Sequence, residues 1–191
     1  PTIKNLNILV SGGGGSIGSE LCRTLLKLKP KKLILLEQNE YNLYKIEKEL
    51  NGKNNLGIEI IPILGDACNR SQVFKIFEEN KINIVFHAAA YKHVPIAEKN
   101  IIVSIWNNVF STQLICDAAN KYKANKVILI STDKAVRPAN VMGASKRLAE
   151  MIIQANAKYL NNKDSQKTIF SIVRFGNVLD SSGSVVPLFK E

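Results

Sequence analysis

Residues 6–20 read LNILVSGGGGSIGSE, in which a short apolar run meets a glycine-rich loop that opens into a helical pattern. Gly12, Gly15 and Gly18 fit the spacing G-x-x-G-x-x-G, and a shifted register fits G-x-G-x-x-G. A loop without side chains lets a pyrophosphate approach the N-terminus of the following helix, so the stretch predicts a dinucleotide-binding turn that also includes Ser16 and Ile17. Because a glycine run alone also makes an ordinary tight turn, this interpretation depends on the elements around it.

Composition predicts one soluble domain over residues 1–191. The chain has 191 residues, of which 46% are hydrophobic, enough for a substantial core and too many for a disordered segment. No apolar run reaches the roughly 18 residues that span a bilayer, and the first residues do not resemble a signal peptide.

The charge and the metal-ligating residues exclude two classes of function. Lys and Arg exceed Asp and Glu by 26 to 16, a net charge of +10, but the lysines are scattered and form no nucleic-acid motif. We therefore expect a solvated lysine-rich surface and no nucleic-acid partner. His87 and His93 lack a third ligand at a recognisable spacing, so no metal site is expected. The three cysteines form no C-x-x-C pair, which favours reduced thiols.

Strand and helix patterns alternate along the whole chain. Short apolar runs at 6–10, 32–36, 58–64, 82–87, 126–130 and 168–174 are separated by helical patterns. This alternation predicts an α/β fold with a doubly wound parallel sheet, the Rossmann architecture. Ligands of such sheets bind at the carboxyl ends of the strands, so the residues that follow each run are the candidates for function.

Residues after the second and third runs suit the adenosine half of a dinucleotide. Glu37 is placed to accept hydrogen bonds from the ribose hydroxyls and to repel a 2′-phosphate, which favours NAD over NADP; an ordinary strand-end acid is the alternative. Asp66, followed by Ala67, is placed to meet the adenine amino group or, equally, to cap the next helix.

The segment after the fourth run combines small side chains with a cation. Ala88, Ala89 and Ala90 allow a ribose to lie against the backbone, or simply pack at a crossing. In the loop that follows, Lys92 is a stronger candidate than His93 for reaching a phosphate or a ribose. Further on, consecutive asparagines at 107 and 108 lie mid-helix, either buried for a polar role or exposed.

The fifth run delivers Thr132, Asp133 and Lys134 to the same sheet edge. Met142 and Lys146 follow, four residues apart on one helix face. Four residues is also the spacing between the catalytic tyrosine and lysine of short-chain dehydrogenases.

On these motifs the chain resembles an extended short-chain dehydrogenase/reductase, and more closely the nucleotide-sugar 4,6-dehydratases of the polysaccharide-biosynthesis (CapD-like) family. The resemblance covers almost the whole chain, through residues 11–18, 87–95, 131–136, 142–147, 174–178 and 181–187. It implies that UDP-N-acetylglucosamine gives its C4 hydride to bound NAD(P)⁺, loses the C5 proton and the C6 hydroxyl as water, and recovers the hydride at C6.

The resemblance also assigns roles. Thr132 hydrogen-bonds the sugar O4, Asp133 is the acid toward the C6 hydroxyl, and Lys134 is the base at C5. Lys146 binds the nicotinamide ribose. The remaining implied contacts are those of Asn108 and Val178 with the cofactor, and of Lys92, His93, Asn177 and Val186 with the substrate.

Met142 stands where most short-chain dehydrogenases have the catalytic tyrosine, and a thioether accepts no proton from a sugar hydroxyl. Methionine here is typical of the larger, membrane-anchored members of the family that keep the C5 configuration, which favours retention. The resemblance further implies a missing C-terminal substrate-binding portion. It places the parent protein at the cytoplasmic face of the bacterial inner membrane and implies a homo-oligomer. Two alternatives stay open: a non-catalytic NAD-binding module that regulates or scaffolds a partner, and a nucleotide-sugar 4-epimerase.

Overall fold

The computed structural model describes residues 3–160, 168–176 and 178. Six parallel strands form one sheet in the order β3-β2-β1-β4-β5-β6. The strands are β1 (Asn7–Ser11), β2 (Lys32–Glu37), β3 (Glu59–Leu64), β4 (Ile84–His87), β5 (Lys126–Thr132) and β6 (Ile169–Phe175). The chain reverses its direction of travel across the sheet between β1 and β4, and at such a point a crevice opens at the carboxyl ends of the strands. The predicted doubly wound Rossmann sheet is confirmed.

Within the part of the chain that the structure describes, seven α-helices connect and cover the strands. They are α1 (Ser16–Lys27), α2 (Glu40–Lys53), α3 (Arg70–Asn80), α4 (Val94–Lys99), α5 (Ile101–Ile105), α6 (Ser111–Lys121) and α7 (Val141–Leu160). A π-helical turn, Trp106–Phe110, joins α5 to α6, and a 3₁₀ turn, Asp133–Ala135, follows β5. The asparagines at 107 and 108, expected in the middle of a helix, therefore lie in this π-helical turn.

Two apolar clusters hold the sheet between its helices. Alternate side chains of β1 and β2 point to opposite faces, so that Leu9 and Ile34 belong to one cluster and Ile8 and Leu33 to the other. All four are completely buried. Burying each such side chain contributes about 1.5–3 kcal/mol, which explains why the strands read as continuous apolar runs rather than as alternating ones.

No helix among the described residues is both long enough and apolar enough to cross a bilayer. Cys22 and Cys116 are buried free thiols in the core, and Cys68 is half-buried.

Candidate active site

The glycine turn between β1 and α1 is packed too tightly for a side chain at Gly12 or Gly18. A Cβ on Gly18 would lie 1.9 Å from the carbonyl oxygen of Gly12, and a Cβ on Gly12 would lie 2.7 Å from the Ala89 nitrogen. Gly12 also has φ +71°, a left-handed conformation that favours glycine. Such close backbone packing leaves the helix N-terminus bare, as a pyrophosphate requires.

Two adjoining cavities of about 540 and 130 Å³ lie at this turn and share Gly12, Gly15, Ala88 and Ala90. The larger cavity also contacts Ser16, Ile17, Gly18, Tyr91, Lys92, His93, Ile96, Asn100, Val103 and Ser104. The smaller one also contacts Leu36, Glu37, Gln38, Gly65, Asp66, Ala67, Ala89 and Asn107. The predicted cofactor-binding residues on the glycine turn and after β2, β3 and β4 are thus brought together around one continuous cleft.

Glu37 joins the end of β2 to the glycine turn. One carboxylate oxygen accepts the backbone N–H of Gly14 and the other that of Asn39, each at 3.0 Å. Since a carboxylate has about four lone-pair sites, Glu37 retains acceptor capacity on the side that faces the smaller cavity. The side chain is buried, which distinguishes it from an ordinary solvated acid at a strand end.

Asp66 does not cap the following helix. Its Oδ1 accepts the backbone N–H of Cys68 at 2.8 Å. The cap of α3 is Asn69, whose side chain accepts the N–H of Gln72. The alternative that Asp66 is a helix cap is therefore wrong, and its carboxylate lines the smaller cavity.

Asn107 and Asn108 are both buried, so the alternative of an exposed pair is wrong. The Asn108 amide nitrogen donates to the Tyr91 carbonyl (3.0 Å) and to the Ser145 hydroxyl (2.9 Å), while its oxygen accepts from the Tyr91 N–H (2.8 Å) and from Asn107 (3.0 Å). Asn108 is thus fully occupied in fixing the loop after β4 against α7. Asn107, which sequence reasoning did not select as a site residue, is the member of the pair that lines a cavity.

His87 links the end of β1 to the start of α6, directly after the π-helical turn, through buried hydrogen bonds. The hydroxyls of Ser111 and Thr112 donate to backbone carbonyls of that turn. Their oxygens are therefore left to accept from His87 Nε2, at 3.3 and 3.1 Å. Nε2 then carries the proton, and Nδ1 accepts from the Ser11 hydroxyl at 2.6 Å. Burial, with the nearby positive charge of Lys146, lowers the pKa of His87 to about 3, so the ring is neutral.

Lys146 and Met142 occupy the buried face of α7. The Lys146 ammonium donates to the carbonyl of Ile130 in β5 at 2.7 Å. Burial lowers the pKa of Lys146 to about 8, and the neighbouring Glu150 partly opposes that shift. Met142 is 4% exposed. Lys146 is itself only 6% exposed and is therefore not an ordinary solvated helix lysine.

Thr132, Asp133 and Lys134 form a short contact series at the end of β5. The Thr132 hydroxyl donates to Asp133 Oδ1 at 2.9 Å, and the Lys134 ammonium lies 3.5 Å from the same oxygen. The hydrogen bond from Thr132, with the charge of Lys134, lowers the pKa of Asp133. The side chains of Asp133 and Lys134 are 56% and 39% exposed.

The five residues predicted to be catalytic contact neither cavity, although they lie at the end of β5, in the 3₁₀ turn that follows it and on α7, at the same edge of the sheet. Lys92 and His93 line the larger cavity, and burial lowers the pKa of Lys92. Asn177 and Val186 lie outside the described residues, and Val178 is exposed and contacts neither cavity. Within the described part of the chain, no three His, Cys, Asp or Glu side chains are grouped to hold a metal ion.

Comparison with known proteins identifies relatives over the whole sheet. The family described as "Polysaccharide biosynthesis protein" matches residues 8–191. The capsular polysaccharide biosynthesis protein CapD of Staphylococcus aureus is 47% identical over 98% of this chain and 31% of its own length. The UDP-N-acetylglucosamine 4,6-dehydratase (inverting) of Campylobacter jejuni is 35% identical over 97% of this chain and 53% of its own.

The X-ray structure of Pen from Bacillus thuringiensis superposes with a TM-score of 0.88 at 37% identity, covering all of this chain and 56% of that one. The chain therefore spans about a third to about half of the length of these relatives.

Proposed function

The chain belongs to the polysaccharide biosynthesis protein family, and we propose that it is the NAD-binding part of a nucleotide-sugar 4,6-dehydratase that acts on UDP-N-acetylglucosamine. The observation that carries the proposal is the cluster of an acid, a base and a hydroxyl, Asp133, Lys134 and Thr132, at the end of β5. A module that only binds a dinucleotide has no need of such a cluster. The dehydratase relative from Campylobacter jejuni supports the same reaction.

The glycine turn and the cleft beside it fit a dinucleotide. The backbone at Gly12 and Gly18 has no room for a Cβ, and Glu37 presents a carboxylate to the smaller cavity, where it accepts ribose hydroxyls and disfavours a 2′-phosphate. Lys92 lies at the larger cavity, where a cation offsets phosphate charge. NAD, when bound, would supply the acceptor for the sugar C4 hydride and the donor of that hydride to C6, and C5 would regain a proton as the C5–C6 double bond is reduced.

The elimination step uses the three residues at the end of β5. Lys134 removes the C5 proton of the 4-keto sugar, the C6–O bond breaks as the C5–C6 double bond forms, and Asp133 gives its proton to the departing hydroxyl, which leaves as water. Thr132 orients the sugar O4. The sugar O4 loses its proton when C4 is oxidised. Because the Met142 thioether cannot accept that proton, the transfer falls to Thr132 or Asp133, assisted by Lys146. Lys146 also binds the nicotinamide ribose.

The stereochemical outcome at C5 is a separate part of the proposal. Met142 favours retention, whereas the Campylobacter jejuni relative is described as inverting. The configuration of the product at C5 decides between the two.

The test is turnover of UDP-N-acetylglucosamine in heavy water by the full-length protein, followed by mass spectrometry and NMR. We expect loss of one water, deuterium at C5, and a fall of at least about 100-fold in Lys134→Ala, as for loss of a general base. Lys45→Ala, an exposed lysine on α2, is the matched control and should keep full activity. Product inverted at C4 without loss of water would instead identify a 4-epimerase, and unchanged substrate with NAD bound would favour the regulatory module.

The homo-oligomer is also a proposal, supported by apolar side chains on the surface of α5 and the π-helical turn. Ile102 is 82% exposed, and the rings of Trp106 and Phe110, both exposed, lie 4.3 Å apart. Such a patch is typical of protein interfaces. Light scattering tests the proposed oligomer. The unsubstituted protein should form a species larger than a monomer, and Trp106→Glu should be a monomer. Membrane anchoring and the cytoplasmic location remain predictions for the full-length protein, which localisation of a tagged form tests.

A further inference from the structure

Glu150 is a fully buried carboxylate in the middle of α7. Its two oxygens accept four hydrogen bonds: from the Ser131 hydroxyl at 2.7 Å, from Arg174 Nε and Nη2 at 2.8 and 2.7 Å, and from Arg147 at 3.1 Å. A buried ionised carboxylate is costly unless each oxygen is hydrogen-bonded, and here every side of the group has a donor. Burial raises the pKa of Glu150, but these donors outweigh it and hold the pKa near 2.

The donors to Glu150 come from three different elements. Ser131 lies in β5 immediately before Thr132, and Arg174 lies opposite Ser131 in the neighbouring strand β6. Arg147 belongs to α7 itself. One carboxylate therefore fixes the helix against both strands at the point where β5 ends in the proposed catalytic cluster.

Glu150 also lies one helical turn after Lys146. Residues four apart share a helix face, and Lys146 donates to Ile130, one residue before Ser131. On successive turns α7 thus makes two polar contacts with successive residues of β5. Lys146 contacts β5 through its hydrogen bond to Ile130, whereas Glu150 accepts the Ser131 hydroxyl and is also bonded by two arginines.

We propose that Glu150 is a positioning residue of the active site, which sets the register of α7 against the end of β5 and maintains the positive charge of Lys146. This role rests on the proposed function only where it concerns turnover. Among the described residues, Glu150 on the same helix is the titratable group that acts on Lys146. The charge of Lys146 in turn acts on the neutral ring of His87 from β4, and the two arginines act through Glu150.

The test is Glu150→Gln in the full-length protein labelled with [ε-¹³C]lysine, with Lys146→Met used only to assign the resonance. Without the carboxylate, Lys146 is expected to bind its proton about tenfold more weakly, and the pKa read from the ¹³C shift falls. Glu49→Gln is the matched control, because Glu49 also accepts Nε and Nη2 of an arginine, Arg23, together with a lysine, but between α1 and α2. It should leave the Lys146 titration unchanged.

Arg174→Gln is the second variant, since Arg174 is 40% exposed and tolerates replacement better than the buried acid. It keeps the carboxylate and removes a positive charge, so the pKa of Lys146 should stay or rise. The proposal is overturned, whatever the activity, if the pKa of Lys146 falls in both variants or does not change in Glu150→Gln. If the titration moves as expected while the unsubstituted protein makes no product, the proposed function fails and the positioning role stands.

If both hold, turnover by Glu150→Gln should fall at least about tenfold, with its pH profile shifted to lower pH in the limb that reports Lys146. Unchanged turnover and profile would contradict the part of the proposal that concerns catalysis.

Discussion

Replacing Gly18 with alanine is expected to destabilise the fold and to weaken dinucleotide binding together. The new Cβ would lie 1.9 Å from the Gly12 carbonyl oxygen, 2.7 Å from its carbon and 3.0 Å from Gly13 Cα. All three are backbone atoms, so no rotamer change relieves the contact. Gly12 has little room to retreat either, because a Cβ built on it would lie only 2.7–2.9 Å from backbone atoms of Ala88 and Ala89.

The size of the effect follows from these distances. Real Cβ atoms essentially never approach another heavy atom within 3.0 Å, so α1 and the glycine turn must separate by at least 1.1 Å from the 1.9 Å of the unsubstituted backbone. Overpacking of this kind costs about 1–3 kcal/mol, against a gain of up to about 1 kcal/mol for alanine in a helix. We expect a net loss of about 1–2 kcal/mol in the free energy of unfolding. A shift of about 1 Å in a binding loop should also raise the Kd for NAD⁺ tenfold or more.

Urea denaturation and NAD⁺ calorimetry measure the two effects separately. Gly52→Ala in α2 is the control, since a Cβ there meets no atom within 4 Å and should stabilise the protein by about 0.5–1 kcal/mol without changing NAD⁺ affinity. Gly15→Ala should fall between them, with its single contact at 3.3 Å from the Gly12 oxygen. If Gly18→Ala binds NAD⁺ and unfolds like the unsubstituted protein, the assignment of this turn as the pyrophosphate site is refuted.

Three further predictions concern single polar groups. His87 should carry its proton on Nε2, which ring ¹⁵N shifts report, and a doubly protonated ring at pH 7 would contradict the assignment. Because its folded pKa is near 3, below the ordinary 6.5, the free energy of unfolding should decrease as pH falls from about 6.5 towards 3, and urea titrations of His87→Gln should lose that component. By calorimetry, Glu37→Ala should raise the affinity for NADP⁺ relative to that for NAD⁺ about tenfold, whereas Glu59→Ala, at an exposed position, should not. The same ratio of affinities in both variants would show that Glu37 does not set the cofactor preference. Thr132→Val should raise the pKa of Asp133, followed by its ¹³Cγ shift, and an unchanged pKa would show that the hydroxyl does not stabilise the carboxylate.

The sheet was predictable because β1 and β2, at its centre, are buried on both faces and therefore read as apolar runs, and helical patterns separate the runs along the chain. The residue at which β5 ends was less predictable. Ser131 and Thr132 continue the ladder opposite Arg174 and Phe175, two residues beyond the expected end at 130. Polar residues break the apolar pattern, but the pairing with β6 extends the strand.

The interior of the π-helical turn was not predictable. No particular residue type marks a π-helical turn in a sequence. This turn is held by partners distant in sequence: the loop at Tyr91 bonds it directly, and the ring of His87 acts on it through Ser111 and Thr112. The wider turn buries both asparagines, and the sequence alone could not tell which of them faces the cleft. The contacts of Glu150 were not predictable either, because they too join residues distant in sequence. Nothing in the sequence of α7 indicates that a glutamate there pairs with Arg174 in a strand.

The hydrogen bond between Thr132 and Asp133 stabilises a carboxylate that the proposed reaction needs in its protonated form. A general acid must hold a proton, yet in this arrangement the Thr132 hydroxyl and the Lys134 ammonium stabilise the ionised form of Asp133. In the proposed reaction Thr132 turns its hydroxyl to the sugar O4, and the same proton cannot then be donated to Asp133. In that proposed reaction, substrate binding would remove the interaction that lowers the pKa of Asp133 most, and the sugar would displace water from a carboxyl that is otherwise half-exposed. Both changes would raise the pKa, so Asp133 would become an acid only when there is a C6 hydroxyl to protonate.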